Sequence, residues 1–534
     1  MQMTSRPFQS SGRFSGRPFF RLVRRAIPIA FLLCLSTPWC AGKESASNAQ
    51  WTRALEPLRT MPVQDSGFVR SAVTFGENHL MAIYGKRSFE GKSALFTVLR
   101  LMADEKAARE TPLIKIVRPE LAALYGGKLA SLEQYRDPAL QEKFIRLVTG
   151  NKEEFLKPAN EMDDQAQRLE DLEEDFAIIP RPHEWLSPLA LKDGGTGRGP
   201  AADPLDTAIV NHWKALKKAL LEDDPAAGGQ AASALAESVS AAARAGGIAL
   251  PRLGLDALYH EHQPFAKSAF FYLVAALAYG AALLFGLRLI RWGGFACLSL
   301  GLIEQILGIA ARWVLSGRAP LSNMYESFVF ATAGMILVAI IFELANRPLL
   351  AGLGAGILGF IFMVLAHKAP IFDSAIRPLV PALQSSWLTY HVVTIMLSYS
   401  AFALSFFVSV CYLLKDALGG DESQFSLLRR LLSLRTLDVL NYKIIAVGFP
   451  LLTIGIILGA VWANTAWGRP WGFDPKEMWS AITWLIYAVY LHVRYFAGWK
   501  GRRAAILAII GFGAVLFTYL GVNFLLPSLH SYVS

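Results

Sequence analysis

Cysteine is scarce in this chain and sits where it can do little. There are four in 534 residues: Cys34, Cys40, Cys297 and Cys411. None falls between about 42 and 265, so that stretch has neither a disulfide framework nor a cysteine metal site. No Cys-x-x-Cys-His occurs anywhere, so the chain is not itself a c-type cytochrome. Acids run short as well. Most lie before about residue 265, and from about 268 onward the chain is largely apolar. No nucleic-acid motif accompanies the net charge of +10. Many of the basic residues instead lie in short loops beside apolar runs, where they set membrane orientation.

What is present divides the chain in three. Residues 1–41 carry six arginines before residue 26 and no acid among the first 25, followed by the apolar stretch from Ala26 to Leu35. That is the layout of a signal sequence or signal anchor, and the bulky Trp39 makes a poor cleavage site. Residues 42–265 read as a soluble, mainly helical domain. Glu133 to Val148 and Asp163 to Phe176 space apolar residues at a helical period, whereas the Ala-, Ser- and Gly-rich segment Ala226 to Ala245 fits a weak helix or a linker. Residues 266–534 hold about eight apolar segments of bilayer length, near 268–287, 293–315, 326–345, 349–367, 389–414, 443–464, 479–497 and 504–525. The expected fold is an all-α polytopic membrane protein. Loops with Arg288 and Arg291, Arg347, Lys415 to Arg435, and Lys500 to Arg503 should be cytoplasmic. The 42–265 domain, the loop near 467–479 and the last residues then share the outer face.

That loop carries the strongest signal: Trp467-Gly468-Arg469-Pro470-Trp471-Gly472-Phe473-Asp474-Pro475-Lys476-Glu477-Met478-Trp479. An aromatic loop at a membrane surface offers flat apolar faces with a few polar handles, which suits a large planar ligand. The residue order resembles the tryptophan-rich "WWD" loop of the cytochrome c assembly family, the CcsA/ResC, CcmC and CcmF haem-handling membrane proteins. Phe473 stands where the family usually has Trp, which keeps an aromatic face and loses an indole donor. Arg318-Ala319-Pro320-Leu321-Ser322-Asn323-Met324-Tyr325-Glu326-Ser327 also resembles the family, as do Met61 to Gly67 and Gly85 to Gly91, which are similar to the extra-cytoplasmic region of its longer members.

Nine histidines are spread along the chain. A lone histidine near a membrane surface is ordinarily an interfacial anchor, but neutral imidazole is also a standard axial ligand for haem iron. His391 begins a span and His530 follows the last one, both at the expected level of the Trp-rich loop. The resemblance implies that these two clamp haem b over Trp467, Trp471, Phe473 and Asp474, with Arg318 pairing a propionate. His492 sits roughly 20 Å into its span from Trp479, at about 1.5 Å per residue, and an ionisable group at that depth is a candidate for function. The resemblance implies that His492 accepts haem from the cytoplasmic side together with a histidine of a CcsB/ResB-type partner. The pair His260 and His262 suits metal on a strand or a polar collar at the membrane surface.

The resemblance therefore implies system II cytochrome c maturation. Haem, transiently bound, is presented at the outer face to an apocytochrome c with a Cys-x-x-Cys-His site, the chain being one component of a holocytochrome c synthetase in a bacterial inner membrane. Two other readings fit the residues: a haem or small-molecule transporter without ligation activity, and a membrane scaffold whose aromatic loop binds a protein.

Overall fold

The computed structural model describes residues 46–182, 184–191, 203–346, 349–369, 372, 374–376, 379, 383–422 and 432–526. The expected signal segment, His183 and His530 lie outside the described residues. The chain forms two compact units that divide between Gln263 and Pro264, with the described part of 373–386 belonging to the first.

The first unit is mainly helical. Its helices are α1 (Ala46–Ala54), α2 (Ala72–Tyr84), α3 (Ala94–Ala103), α4 (Glu105–Glu110), α5 (Pro119–Tyr125), α6 (Leu132–Arg136), α7 (Pro138–Gly150), α8 (Lys152–Glu170), α9 (Pro204–Leu221), α10 (Pro225–Ala245) and α11 (Leu253–His262). Three short antiparallel pairs accompany them: β1 (Pro62–Asp65) with β2 (Phe68–Ser71), β3 (Ser88–Phe89) with β4 (Lys92–Ser93), and β5 (Ile114–Lys115) with β6 (Leu129–Ala130). The Met61 to Gly67 motif is the β1–β2 hairpin, and its turn needs positive φ at both Ser66 (51°) and Gly67 (80°). Asp256 of α11 ties the hairpin down, accepting from Ser71 N at 2.9 Å and Thr74 Oγ1 at 2.6 Å.

Several sequence expectations change here. The Ala-rich segment is no linker. It is the 21-residue α10, capped by Asp224, and it lacks bulk because Gly228 meets the Trp51 ring, where a Cβ would come within 2.6 Å. The run from Glu133 to Val148 is two helices, because Asp137 ends α6 and caps α7 ahead of Pro138. The run from Asp163 to Phe176 leaves the helix at Glu170. His260 and His262 fall on α11, where an i, i+2 spacing does not share a face, so the strand-type metal pair is withdrawn. His260 instead meets Glu77 at 3.1 Å.

The second unit holds α12 (Pro264–Phe285), α13 (Arg288–Ser316), α14 (Met324–Asn346), α15 (Leu349–Lys368), α16 (Ser386–Ala417), α17 (Leu434–Trp467), α18 (Pro475–Tyr495), α19 (Arg502–Leu516), a π-turn at Phe517–Gly521 and α20 (Val522–Leu525). Among the described residues, seven helical stretches are long and apolar enough to cross a membrane: those containing α12 to α17, and residues 502–525. The protein is an all-α polytopic membrane protein. The eighth expected span does form a helix of 21 residues, α18, but it carries Lys476, Glu477, His492 and Arg494 and falls short in apolarity. Small residues allow the close packing a bilayer requires. Gly301 lies against Tyr272 and Gly308 against Phe265, each leaving less than 3 Å for a Cβ.

Candidate functional site

α16 and α17 pack antiparallel, with a glycine of α17 at each crossing. Gly448 meets Phe402, Gly455 meets Ile395, and Gly459 meets the imidazole of His391. His391 lies in the second turn of α16 and is half-buried. Its Nδ1 is 2.7 Å from the Gly455 carbonyl oxygen. A carbonyl only accepts, so Nδ1 carries the proton and the Nε2 lone pair is the one suited to a metal. The ring lies nearly parallel to Trp462, at 6.3 Å between centroids and 12° between planes. Trp462 in turn meets Trp467 at 4.8 Å and 62°. A continuous line of rings thus runs from His391 to the start of the Trp-rich loop.

α17 stops at Trp467 because Gly468 turns left-handed (φ 72°) and bonds back to Asn464. The next residues are held by α18. Asp474 caps it through Lys476 N, while the Glu477 carboxylate reaches back to Gly472 N at 2.7 Å and Asp474 N at 3.2 Å. The Arg469 guanidinium folds into the space beside Gly472 where a Cβ would stand. Phe473 is left with φ 57°, unusual for an aromatic residue, and with 75% of its surface exposed. Trp471 is half-buried beside it in sequence. The loop therefore presents an aromatic face on a stiff backbone.

Two further elements join this end of the unit. Lys476 Nζ donates to Asn523 Oδ1 at 3.0 Å, beyond the π-turn. Within that turn, the Tyr519 hydroxyl is 2.8 Å from Ser327 Oγ and donates to the Met324 carbonyl at 3.0 Å. A π-turn of this kind often marks a functional position. The Arg318 motif lies alongside. Glu326 is buried and accepts from Arg312 at 2.9 Å and Arg318 at 3.0 Å, and its carboxylate also takes the Ser322 N–H. Arg318 is thus held by Glu326 and Ser322, not extended into solvent.

Residues 321–530 match the family described as cytochrome C assembly protein. A protein of Guillardia theta named cytochrome c biogenesis protein CcsA is 42% identical over 277 residues, which cover 49% of this chain and 92% of that relative. Proteins of the same name from Thermosynechococcus vestitus (41% over 261 residues) and Synechococcus elongatus (39% over 293 residues) are covered to 82% and 88% of their lengths, and take in 42% and 46% of this chain. The chain belongs to the cytochrome c assembly protein family, in its CcsA-type branch.

In this family member the expected site residues divide. His391, Trp467, Trp471, Phe473, Asp474 and Arg318 all lie at one end of the second unit. His492 lies in the last turn of α18, near the opposite end, exposed and with its ring 4.7 Å from Phe496. Arg494 lies two residues further along α18. It is bidentate on Asp438, with Nη1 at 2.8 Å and Nη2 at 2.7 Å, and Asp438 also takes the Gly501 N–H. His530 lies outside the described residues, so its placement against His391 is not part of this geometry.

Sequence reasoning undervalued Glu477 and passed over Gly455, Gly459 and Trp462. Signals for both were present. Asp474-Pro475-Lys476-Glu477 has capping-box spacing, and Gly455 to Gly459 is a Gly-x-x-x-Gly in an apolar run. No group of three or more potential metal-ligating side chains occurs among the described residues.

Proposed function

We propose that this CcsA-type protein binds haem b as its cargo and presents it for covalent attachment to an apocytochrome c. His391 supports this reading best: its Nδ1–H is committed to a backbone carbonyl, and its ring lies in line with the Trp-rich loop. His391 would then hold the iron through Nε2 and His530 would offer a second imidazole, with the porphyrin resting on Trp471 and Phe473. Arg318, already paired with Glu326, would offer positive charge to a propionate at the rim. An apocytochrome with a Cys-x-x-Cys-His site docks on the exposed loop and its own histidine displaces one axial ligand. Each cysteine thiol adds across a haem vinyl group: sulfur bonds to one vinyl carbon, hydrogen to the other, and nothing leaves. The porphyrin brings the reactive groups, and the protein supplies position and control of the iron.

The site end faces the outer, periplasmic side of a bacterial inner membrane, together with the domain at 42–265, following the distribution of basic residues. His492 receives haem nearer the cytoplasmic side. With Leu485, Val489 and Phe496 it forms an exposed stripe at helical spacing. Ionisable side chains inside membranes are ordinarily covered by protein, so this stripe suits a helix of a CcsB/ResB-type partner that brings a second imidazole. The absorption spectrum of the purified protein tests the reading. Six-coordinate, bis-imidazole b-type haem is expected, with His391→Ala lowering haem content or shifting the spectrum and added imidazole restoring it. A His391→Ala protein with unchanged haem content and spectrum would exclude His391 as a ligand.

A further inference from the structure

Three neighbours of the His391 ring come from one face of α17. Gly455, Gly459 and Trp462 are spaced i, i+4 and i+7, which places them on a single stripe. Each does something different to the imidazole. The Gly455 carbonyl takes the Nδ1 proton at 2.7 Å. Within an α-helix that carbonyl already serves the N–H four residues on, at Gly459. Its second lone pair is reachable from outside only where no side chain stands over it. Gly459 meets that condition: a Cβ there would lie 2.7 Å from His391 Cε1 and 2.8 Å from Nδ1, closer than real Cβ atoms come. Trp462, with 1% of its surface exposed, lies 12° from parallel to the imidazole and fixes the plane of the ring.

We propose that Gly455, Gly459 and Trp462 form a clip that holds His391 as the Nδ1–H tautomer, making them positioning residues for haem ligation. This rests on the reading of His391 as an iron ligand. The clip also sets how firmly the ligand binds. The partner of the ring's distal N–H tunes its basicity. A neutral carbonyl pulls on that proton less than a carboxylate does, so the imidazole stays neutral and replaceable. A site that must give up its iron to an incoming histidine needs a ligand of that kind. Trp462 adds a link, since its ring lies between that of His391, at 6.3 Å between centroids, and that of Trp467, at 4.8 Å, in the loop on which the porphyrin would rest.

Two measurements on the full-length protein test the clip. The first uses haem-free protein labelled with ¹⁵N-histidine, with the His391 signals assigned by their loss in His391→Ala. The expected result is a protonated Nδ1 and an unprotonated Nε2. A protonated Nε2 with a bare Nδ1 overturns the proposal whatever the haem data show. The second compares haem spectra of Gly459→Ala, Trp462→Phe and His391→Ala. Gly459→Ala should reproduce the His391→Ala spectrum and be rescued by added imidazole, because the native ring has been pushed off its carbonyl. Trp462→Phe, which keeps a ring in place, should stay near wild type. If His391→Ala changes the spectrum while a folded Gly459→Ala does not, the clip is refuted and the ligand assignment stands. If His391→Ala leaves the spectrum unchanged, the ligand assignment itself fails.

Discussion

Replacing Glu477 with Ala should loosen the Trp-rich loop without unfolding the bundle. The Glu477 carboxylate holds two backbone amides, Gly472 N at 2.7 Å and Asp474 N at 3.2 Å. Hydrogen bonds to a charged acceptor contribute about 1.5–3 kcal/mol each when well formed. Only the shorter one is near ideal length, and Glu477 is half-exposed, so about 2 kcal/mol in total is the reasonable figure. Against it stands the left-handed Phe473 (φ 57°), whose strain of about 1–3 kcal/mol favours release. Without Glu477 the strain has less to oppose it. A loss of about 2 kcal/mol corresponds to a roughly 30-fold rise in local opening. Hydrogen exchange read by mass spectrometry on a peptide spanning 468–478 reports this opening directly. Exchange there should rise by about that factor, with a peptide spanning 386–395 unaffected. Unchanged loop exchange in Glu477→Ala would mean that the loop is held by something other than this carboxylate.

Two further outcomes follow from other parts of the molecule. Glu326 is a buried anion between Arg312 and Arg318, so Glu326→Ala leaves two cations facing one another and should cost about 3–5 kcal/mol; a melting temperature in detergent equal to wild type would contradict this. In the first unit, the Tyr125 and Tyr135 hydroxyls are pushed up to about 12, first by burial. An unfolded tyrosine ionises near 10, so the raised folded value stabilises below about pH 10 and that contribution is lost as pH rises toward about 12. The full-length protein should lose thermal stability across that window, and a Tyr125→Phe, Tyr135→Phe protein should lose less. Equal alkaline loss in the two proteins would dismiss the effect.

How far the sequence could be read depended on how local each cause was. The membrane helices were legible because bilayer length and apolarity are carried by consecutive residues. α18 was counted as a span on the apolar run after Trp479, yet Lys476, Glu477, His492 and Arg494 mark it as the least apolar of the set. α10 was ambiguous because Ala and Gly give little periodicity. Its reason for smallness, the Trp51 ring against Gly228, comes from a residue about 180 positions away in the chain. The histidines show the same limit. His391 could be named as a candidate from its place at a span start, but its tautomer depends on Gly455, 64 residues further on. Arg318 was legible as a family residue, whereas its engagement with Glu326 depended on the turn between α13 and α14.

On the proposed function, the two described histidine sites do different physical work, and their surroundings differ accordingly. His391 is oriented by residues of its own chain. A carbonyl, a glycine and a tryptophan of the neighbouring helix fix its proton, its space and its plane. Such a site binds without reorganising, which suits the step where iron must meet an incoming histidine in a set geometry. His492 has no comparable enclosure. It is exposed on a helix too polar to count among the apolar seven, two residues from an arginine that Asp438 holds in place. Arg494 and Asp438 anchor the end of α18 while leaving the His492 face outward. An anchored helix with an open imidazole is suited to completion by a second protein. Haem capture at that end would then depend on the partner, while the chemistry of the outer ligand would remain a property of this chain.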